Sequence, residues 1–369
     1  YYVRVAELPE EYSLLVVREA DFDRESNNSL SLPQDLGPSN LATGFVNVDS
    51  LTDLTLQQTF SGPDYTGFIP PDPILAVGPE QIVVLVNTEL AIYDKATSQE
   101  LFHENISGSN GFFGVVGATA SVFDPWVIFD DDSQRFFVVG IDVATQNRSN
   151  LFLAVSDDAT PTDGGDWHKY KLDFTHDPAP LGLGSGAHFP DYEKLGVNDD
   201  AIFVSGNYFP IASGTGIYAG ITAIEKSSLL SGGPANVLYE EHFSGFSVFP
   251  LNQFDSGSTQ YFVEETGGSS VRLHAVTDVL GSPTRQTFDL QVPFYTQPVD
   301  VPQLLGGEPA DAVSARIMTG VWRFGSAWFA HAITDPAILD GETVVRWYEV
   351  ATNQFPSGTP TLMDWGNVD

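Results

Sequence analysis

Six polar residues recur in register along the middle of the chain. Asp72, Asp124 and Asp191 each stand at the head of a short apolar segment. Asn87, Asp142 and Asn207 close the segments that follow, 15, 18 and 16 positions later. Gathered into a ring, such carboxylates and amides offer oxygen ligands to a hard cation such as Ca²⁺. They serve a polyol such as a sugar equally well, as hydrogen-bond acceptors and donors. Standing singly, an Asp before Pro or at the head of a strand caps a turn by accepting backbone N–H groups. What decides between these uses is whether the intervening elements bring the six together.

Those elements read as strands. The runs 82–86, 136–141 and 201–205 are apolar and rich in Val, Ile and Phe, and each follows an acidic or polar turn: Pro79-Glu80-Gln81, Asp130-Asp131-Asp132 or Asn198-Asp199-Asp200. A third strand is predicted over 90–94, 151–156 and 218–225, and a fourth over 167–172 and 237–240. The opening Asp residues are 52 and 67 positions apart. Four short strands recurring at such spacing are the pattern of propeller blades. Two less regular units follow, over 246–290 and 314–363. The fold class is therefore all-β: a β-propeller of four-stranded blades, with five blades in this chain. Closure is expected from a further blade or from a strand at 54–60. Two stacked β-sandwiches would supply as many strands but would not explain the Asp-to-Asn register. Unbroken apolar runs fit sheets buried on both faces. In a blade the first strand runs nearest the axis and antiparallel to the second. The head of one and the end of the other then meet, so all six residues are expected at one mouth of the central channel.

Composition narrows the partners. The chain has 369 residues with 49 acidic and 15 basic side chains, a net charge of −34. Such a surface repels phosphate backbones, which excludes nucleic acid, and it repels anionic membranes. No apolar run approaches the roughly 18–20 residues of a membrane span, so membrane insertion is not expected. Cys is absent, which excludes disulfides and thiolate metal sites. The charge suits divalent cations. Asp130, Asp132 and Asp199, in acidic turns, are the candidate Ca²⁺ ligands, although no turn has the spacing of a twelve-residue calcium loop. No organic cofactor is expected, because Gly-rich dinucleotide and phosphate loops are lacking.

Catalytic candidates are few. His188 stands three residues before Asp191, after the Gly-rich stretch 182–187. With Tyr192, Glu193 and Arg316 it can form the acid/base and anion-binding set of a polysaccharide hydrolase or lyase. Its plainer role is that of a loop His capping a strand. The ten Arg residues are not clustered, which disfavours a sialidase-like site. No convincing nucleophile elbow is present.

The set Pro70-Pro71-Asp72, Val77-Gly78-Pro79, Val86-Asn87 and Ile92-Tyr93-Asp94-Lys95 resembles a family of secreted bacterial β-propeller proteins. So do Asp124-Pro125 with Phe129-Asp130, Leu153-Ala154-Val155-Ser156, Phe189-Pro190-Asp191-Tyr192-Glu193-Lys194-Leu195-Gly196-Val197 and Val345-Arg346-Trp347-Tyr348-Glu349-Val350. The resemblance covers roughly residues 67–369. Near the start, Tyr1-Tyr2-Val3-Arg4-Val5 with Glu11-Tyr12-Ser13-Leu14-Leu15-Val16 resembles the closing strands of the bacterial pre-peptidase C-terminal domain. Together they imply residues 1–24 as the closing hairpin of a truncated β-sandwich, 25–66 as a linker and 67–369 as the propeller. They further imply an extracellular or cell-surface location in a larger protein. The first reading is a module that binds or scaffolds there, with a glycan, a protein or another copy of itself as partner. The family is largely uncharacterised, so it assigns no catalytic residue. The alternative reading is a carbohydrate-active enzyme with its site at the channel mouth.

Overall fold

The computed structural model describes residues 60–118, 121–303, 309–337 and 341–368, and the short strands Asp21–Phe22 and Ala42–Thr43. The chain divides into two units, residues 1–62 with 96–98, and residues 63–95 with 99–369. In the first unit Asp21–Phe22 pairs parallel with Ala42–Thr43. The strands expected over 1–6 and 12–18 lie outside the described residues, as does the strand at 54–60 apart from Phe60.

The second unit is a five-bladed β-propeller. Blade 1 comprises Ile74–Val77, Gln81–Val86, Glu89–Asp94 and Glu100–Asn105. Blade 2 comprises Phe123–Asp130, Arg135–Thr145, Arg148–Ser156 and Trp167–Asp173. Blade 3 comprises His188–Val197, Ala201–Pro210, Tyr218–Glu225 and Val237–Phe243. Blade 4 has Phe249–Pro250, Gln260–Glu265, Ser270–Thr277 and Thr284–Gln291. Blade 5 has Ile317–Arg323, Ser326–Thr334, Thr343–Ala351 and Thr361–Val368. All pairings between successive strands within a blade are antiparallel. Blade 4's first strand is very short, and Asn252–Gln253 leaves it to pair parallel with Val321–Trp322 of blade 5.

Alternation explains the unbroken apolar runs. Phe136 and Val138 pack with Val83, Leu85 and Ile92 of blade 1. Their neighbours Phe137 and Val139 point the other way, to Leu195, Ile202 and Val204 of blade 3. Phe203 then meets Phe262 of blade 4, and Tyr261 and Val263 meet Phe329, Tyr348 and Val350 of blade 5. Successive side chains on a strand face opposite sides, so a sheet held between two others must be apolar at every position. Each fully buried Phe or Leu contributes about 1.5–3 kcal/mol. Among the described residues no such core joins blade 5 to blade 1, and closure is left open.

One backbone feature recurs at the head of each first strand: a non-Gly residue with positive φ. These are Asp72 (46°), Asp124 (48°), Tyr192 (60°), Ser247 (53°) and Val313 (59°). Asp124 and Tyr192 lie where the pairing register shifts, between Phe123 and Trp126 and between Asp191 and Lys194. Bulges of this kind re-aim side chains. A left-handed backbone at a non-Gly residue is strained, and the surrounding structure must hold it.

Candidate active site

The bulges are locked blade to blade. Asn87, at the end of blade 1's second strand, donates through Nδ2 to the Asp72 carboxylate at 2.6 Å. Its Oδ1 accepts the backbone N–H of Asp124 in blade 2 at 2.7 Å. The Asp124 carboxylate in turn accepts the N–H of Tyr192 in blade 3 at 3.1 Å. Asn207 repeats the role of Asn87, its Oδ1 accepting the N–H of Ser247 in blade 4 at 2.6 Å. Asp124, Tyr192 and Ser247 are thus each fixed by a side chain of the preceding blade, whereas the Val313 N–H goes to Asp311 two residues before it.

This relay draws Asp72, Asp124 and Asp191 together. Asp124 lies beside both of the others and raises each of them. Desolvation, then the neighbouring Asp124 charge, pushes Asp72 up to about 6. Desolvation and the hydrogen bond and charge of Asp124 push Asp191 up to about 7. Like charges packed side by side cannot all ionise.

Lys194 offsets part of this. It is buried, and its Nζ lies 4.2 Å from the Trp126 ring centre and 3.4 Å from that of Tyr192. It favours the charged forms of Asp72 and Asp191. Burial pulls Lys194 itself down to about 8, against the attraction of Glu193, Asp124 and Asp72. Tyr192 is pushed by burial up to about 12. Its hydroxyl donates to Met318 Sδ at 2.9 Å, and the Arg316 guanidinium lies over its ring at 4.9 Å.

The other expected site residues are placed differently. Asp142 is turned into blade 2, where its Oδ1 accepts the N–H and the Nδ2 of Asn150 at 3.0 and 2.7 Å. His188 is fully buried, with its ring nitrogens 2.9 Å from the Gly186 carbonyl and 3.1 Å from that of Gly216. It ties two Gly-rich loops together. Glu193 is fully buried, and neither carboxylate oxygen has a partner among the described residues. Burial, then the Asp124 charge, holds it well above the usual carboxylate range.

At the far end of the same strands, Asp130 and Asp132 both face the Lys226 ammonium at 3.1 Å. Asp130 and Lys226 are buried. Asp199 is exposed and lines a cleft of about 180 Å³ with Asp130, Asp132 and Asp255. Asp166 accepts the N–H groups of Thr162 and Asp163, and Asn198 those of Asp200 and Ala201, as turn-capping side chains do. Among the described residues no group of three His, Asp or Glu is arranged to hold a metal ion.

No known family model matches the chain, and no curated protein sequence matches it. Solved structures similar to it include a GH43 glycoside hydrolase with endo-xylanase and exo-arabinofuranosidase activity, at 11% identity and a TM-score of 0.35 over 79% of this chain and 52% of that one. A Hadza microbial sialidase is 11% identical with a TM-score of 0.43, over 81% and 58%. An endo-arabinase from Bacteroides thetaiotaomicron is 10% identical with a TM-score of 0.37, over 67% and 80%. The chain thus spans about half the length of the first two.

Sequence reasoning did not single out Lys194. Its signal is the one Lys or Arg in a first strand that also carries Asp191 and Glu193. The bulge after Asp191 sets Lys194 against the rings of Trp126 and Tyr192, and alternation alone does not show that bulge.

Proposed function

We propose that the chain is a carbohydrate-active enzyme that hydrolyses glycosidic bonds at the mouth formed by the heads of the first strands. The observation that carries this reading is the line Asp72–Asp124–Asp191, with its two outer carboxyls raised to about 6 and about 7. Glycoside hydrolysis needs one carboxyl that holds a proton for the departing oxygen and another, ionised, that activates water or attacks the sugar. Near pH 6.5 the coupled set holds a proton and a negative charge at once, and we assign the acid role to Asp191 and the base role to Asp72. Asp124, beside both, adds to the burial that holds each of them up. Lys194 holds negative charge in the cluster while leaving Asp191 its proton. The oxocarbenium-like transition state gains from the same carboxylates. On the resemblance of its sequence to exported propellers, the activity is placed outside the cell.

The test is a panel of neutral and acidic polysaccharides scored for new reducing ends. We expect release from at least one, abolished in Asp191→Asn. Release unaffected by that substitution would put the chemistry elsewhere.

A second reading is a glycan-binding or scaffolding module of a larger extracellular protein. It is favoured by the commitment of the Asp72 carboxylate to Asn87 within blade 1 and of the Asp124 carboxylate to the Tyr192 N–H of blade 3. It predicts saturable glycan binding with no bond cleaved.

A further inference from the structure

The same mouth has a positive side. The Tyr192 ring is held between two cations, the Lys194 ammonium 3.4 Å from its centre and the Arg316 guanidinium at 4.9 Å. Arg316 also lies 5.4 Å over the ring of Phe246, which is 40% exposed. Its Nε donates to Ser314 Oγ at 2.9 Å, which fixes the plane of the fork. Arg316 is itself partly exposed.

Among the described residues, Arg316 forms no ion pair with a carboxylate. Four of the other described Arg residues do: Arg148, Arg272 and Arg285 meet carboxylates at 2.9, 2.6 and 2.7 Å, and Arg346 meets Asp335. Arg135 binds the Ser133 and Gln134 carbonyls, and Arg323 lies over the Phe324 ring. In a chain with 49 acidic and 15 basic residues, carboxylates are abundant partners. Arg316 is instead set by a hydroxyl and two aromatic faces, close enough to Lys194 for the two cations to repel. A planar guanidinium so fixed matches a carboxylate as a two-pronged donor, in a way an ammonium does not.

We infer that the glycan taken at this mouth carries a carboxylate, as a uronic acid does, and that Arg316 is the residue that selects it. The proposal rests on reading the mouth as a glycan site. It divides the labour there: Asp72, Asp124 and Asp191 face the bond to be cleaved, and Arg316, backed by Tyr192 and Phe246, takes the acidic group. The field of the whole chain disfavours polyanions at long range, so selection must come from this short-range contact, and added salt should assist the encounter.

The experiment compares binding of D-glucuronate and D-glucose to the full chain by saturation-transfer NMR titration, in wild type, Arg316→Gln and Arg316→Lys, each with an intact circular dichroism spectrum. The wild type should prefer glucuronate by about tenfold or more, the scale of hydrogen bonds to a charged group. Arg316→Gln should bring the ratio to about one, and Arg316→Lys, which keeps the charge but not the fork, should fall between. A wild-type ratio near one, no binding of either sugar, or a preference that survives Arg316→Gln would overturn the proposal. The same samples are assayed for cleavage of the polysaccharide panel. Preference for glucuronate with no cleavage leaves the acid-selecting role of Arg316 standing and overturns the hydrolase reading. Cleavage without the preference does the reverse.

Discussion

Asn87 Oδ1 accepts the backbone N–H of Asp124 at 2.7 Å, across a blade boundary and 37 positions along the chain. The bond fixes a left-handed Asp in the bulge that aims its carboxyl at Asp72 and Asp191. Asn87→Ala removes the acceptor and leaves a partly buried N–H unpaired. We expect a loss of about 1–3 kcal/mol in urea unfolding. Hydrolysis should fall further than stability alone explains, because Asp124 loses its fixed position. Asn87→Asp keeps an acceptor but loses the Nδ2 donor and adds a fourth carboxylate, and should raise the pH at which the cluster ionises.

The cluster fixes a pH profile. A base titrating near 6 must be ionised and an acid titrating near 7 must be protonated, so kcat/KM should form a narrow bell between those limbs. The limbs belong to the coupled set and not to single residues. Lys194→Met removes a positive charge that favours carboxylate ionisation. Both limbs should then move to higher pH, in a profile measured from pH 4 to 9. A profile that stays in place would show that Lys194 does not act on the carboxyls.

The far end of the first strands makes a separate prediction. Lys226 is the cation between Asp130 and Asp132, and its side chain and that of Asp130 are each 4% exposed. Lys226→Met leaves Asp130 buried without its partner and should cost about 3–5 kcal/mol. Adding Asp130→Asn should restore most of that. A Ca²⁺ ion held with Asp199 beside these carboxylates would instead make the melting temperature fall on addition of EDTA, and Asp199→Asn should abolish that fall; an unchanged value with EDTA would show that no such ion supports the fold.

The blade pattern was legible because a sheet buried on both faces writes unbroken Val, Ile and Phe runs between polar turns. The register was legible because the blades repeat, which aligns Asp72, Asp124 and Asp191 by sequence alone. The side-chain directions were not. Asp142 follows Ile141, which pairs with Phe123 ahead of the bulge, and its carboxylate turns to Asn150 in the neighbouring strand. Bulges shift pairing by a residue without marking the composition. Lys226 lies 96 residues from Asp130, and a partner that distant leaves no local signal. Arg316 was visible as a residue type, but its lack of a carboxylate partner is a fact of three dimensions.

One comparison tests most directly whether Asp191 is the acid of a glycoside hydrolase. The kcat/KM of wild type and Asp191→Asn is measured near pH 6.5 on the cleaved polysaccharide and on a dinitrophenyl glycoside of the same sugar, whose leaving group needs no proton. Asp191→Asn should lose roughly 10²–10⁴-fold on the polysaccharide, the scale of general acid catalysis, with activity on the dinitrophenyl glycoside largely kept. Equal losses on both substrates, or no loss on the polysaccharide, would contradict it.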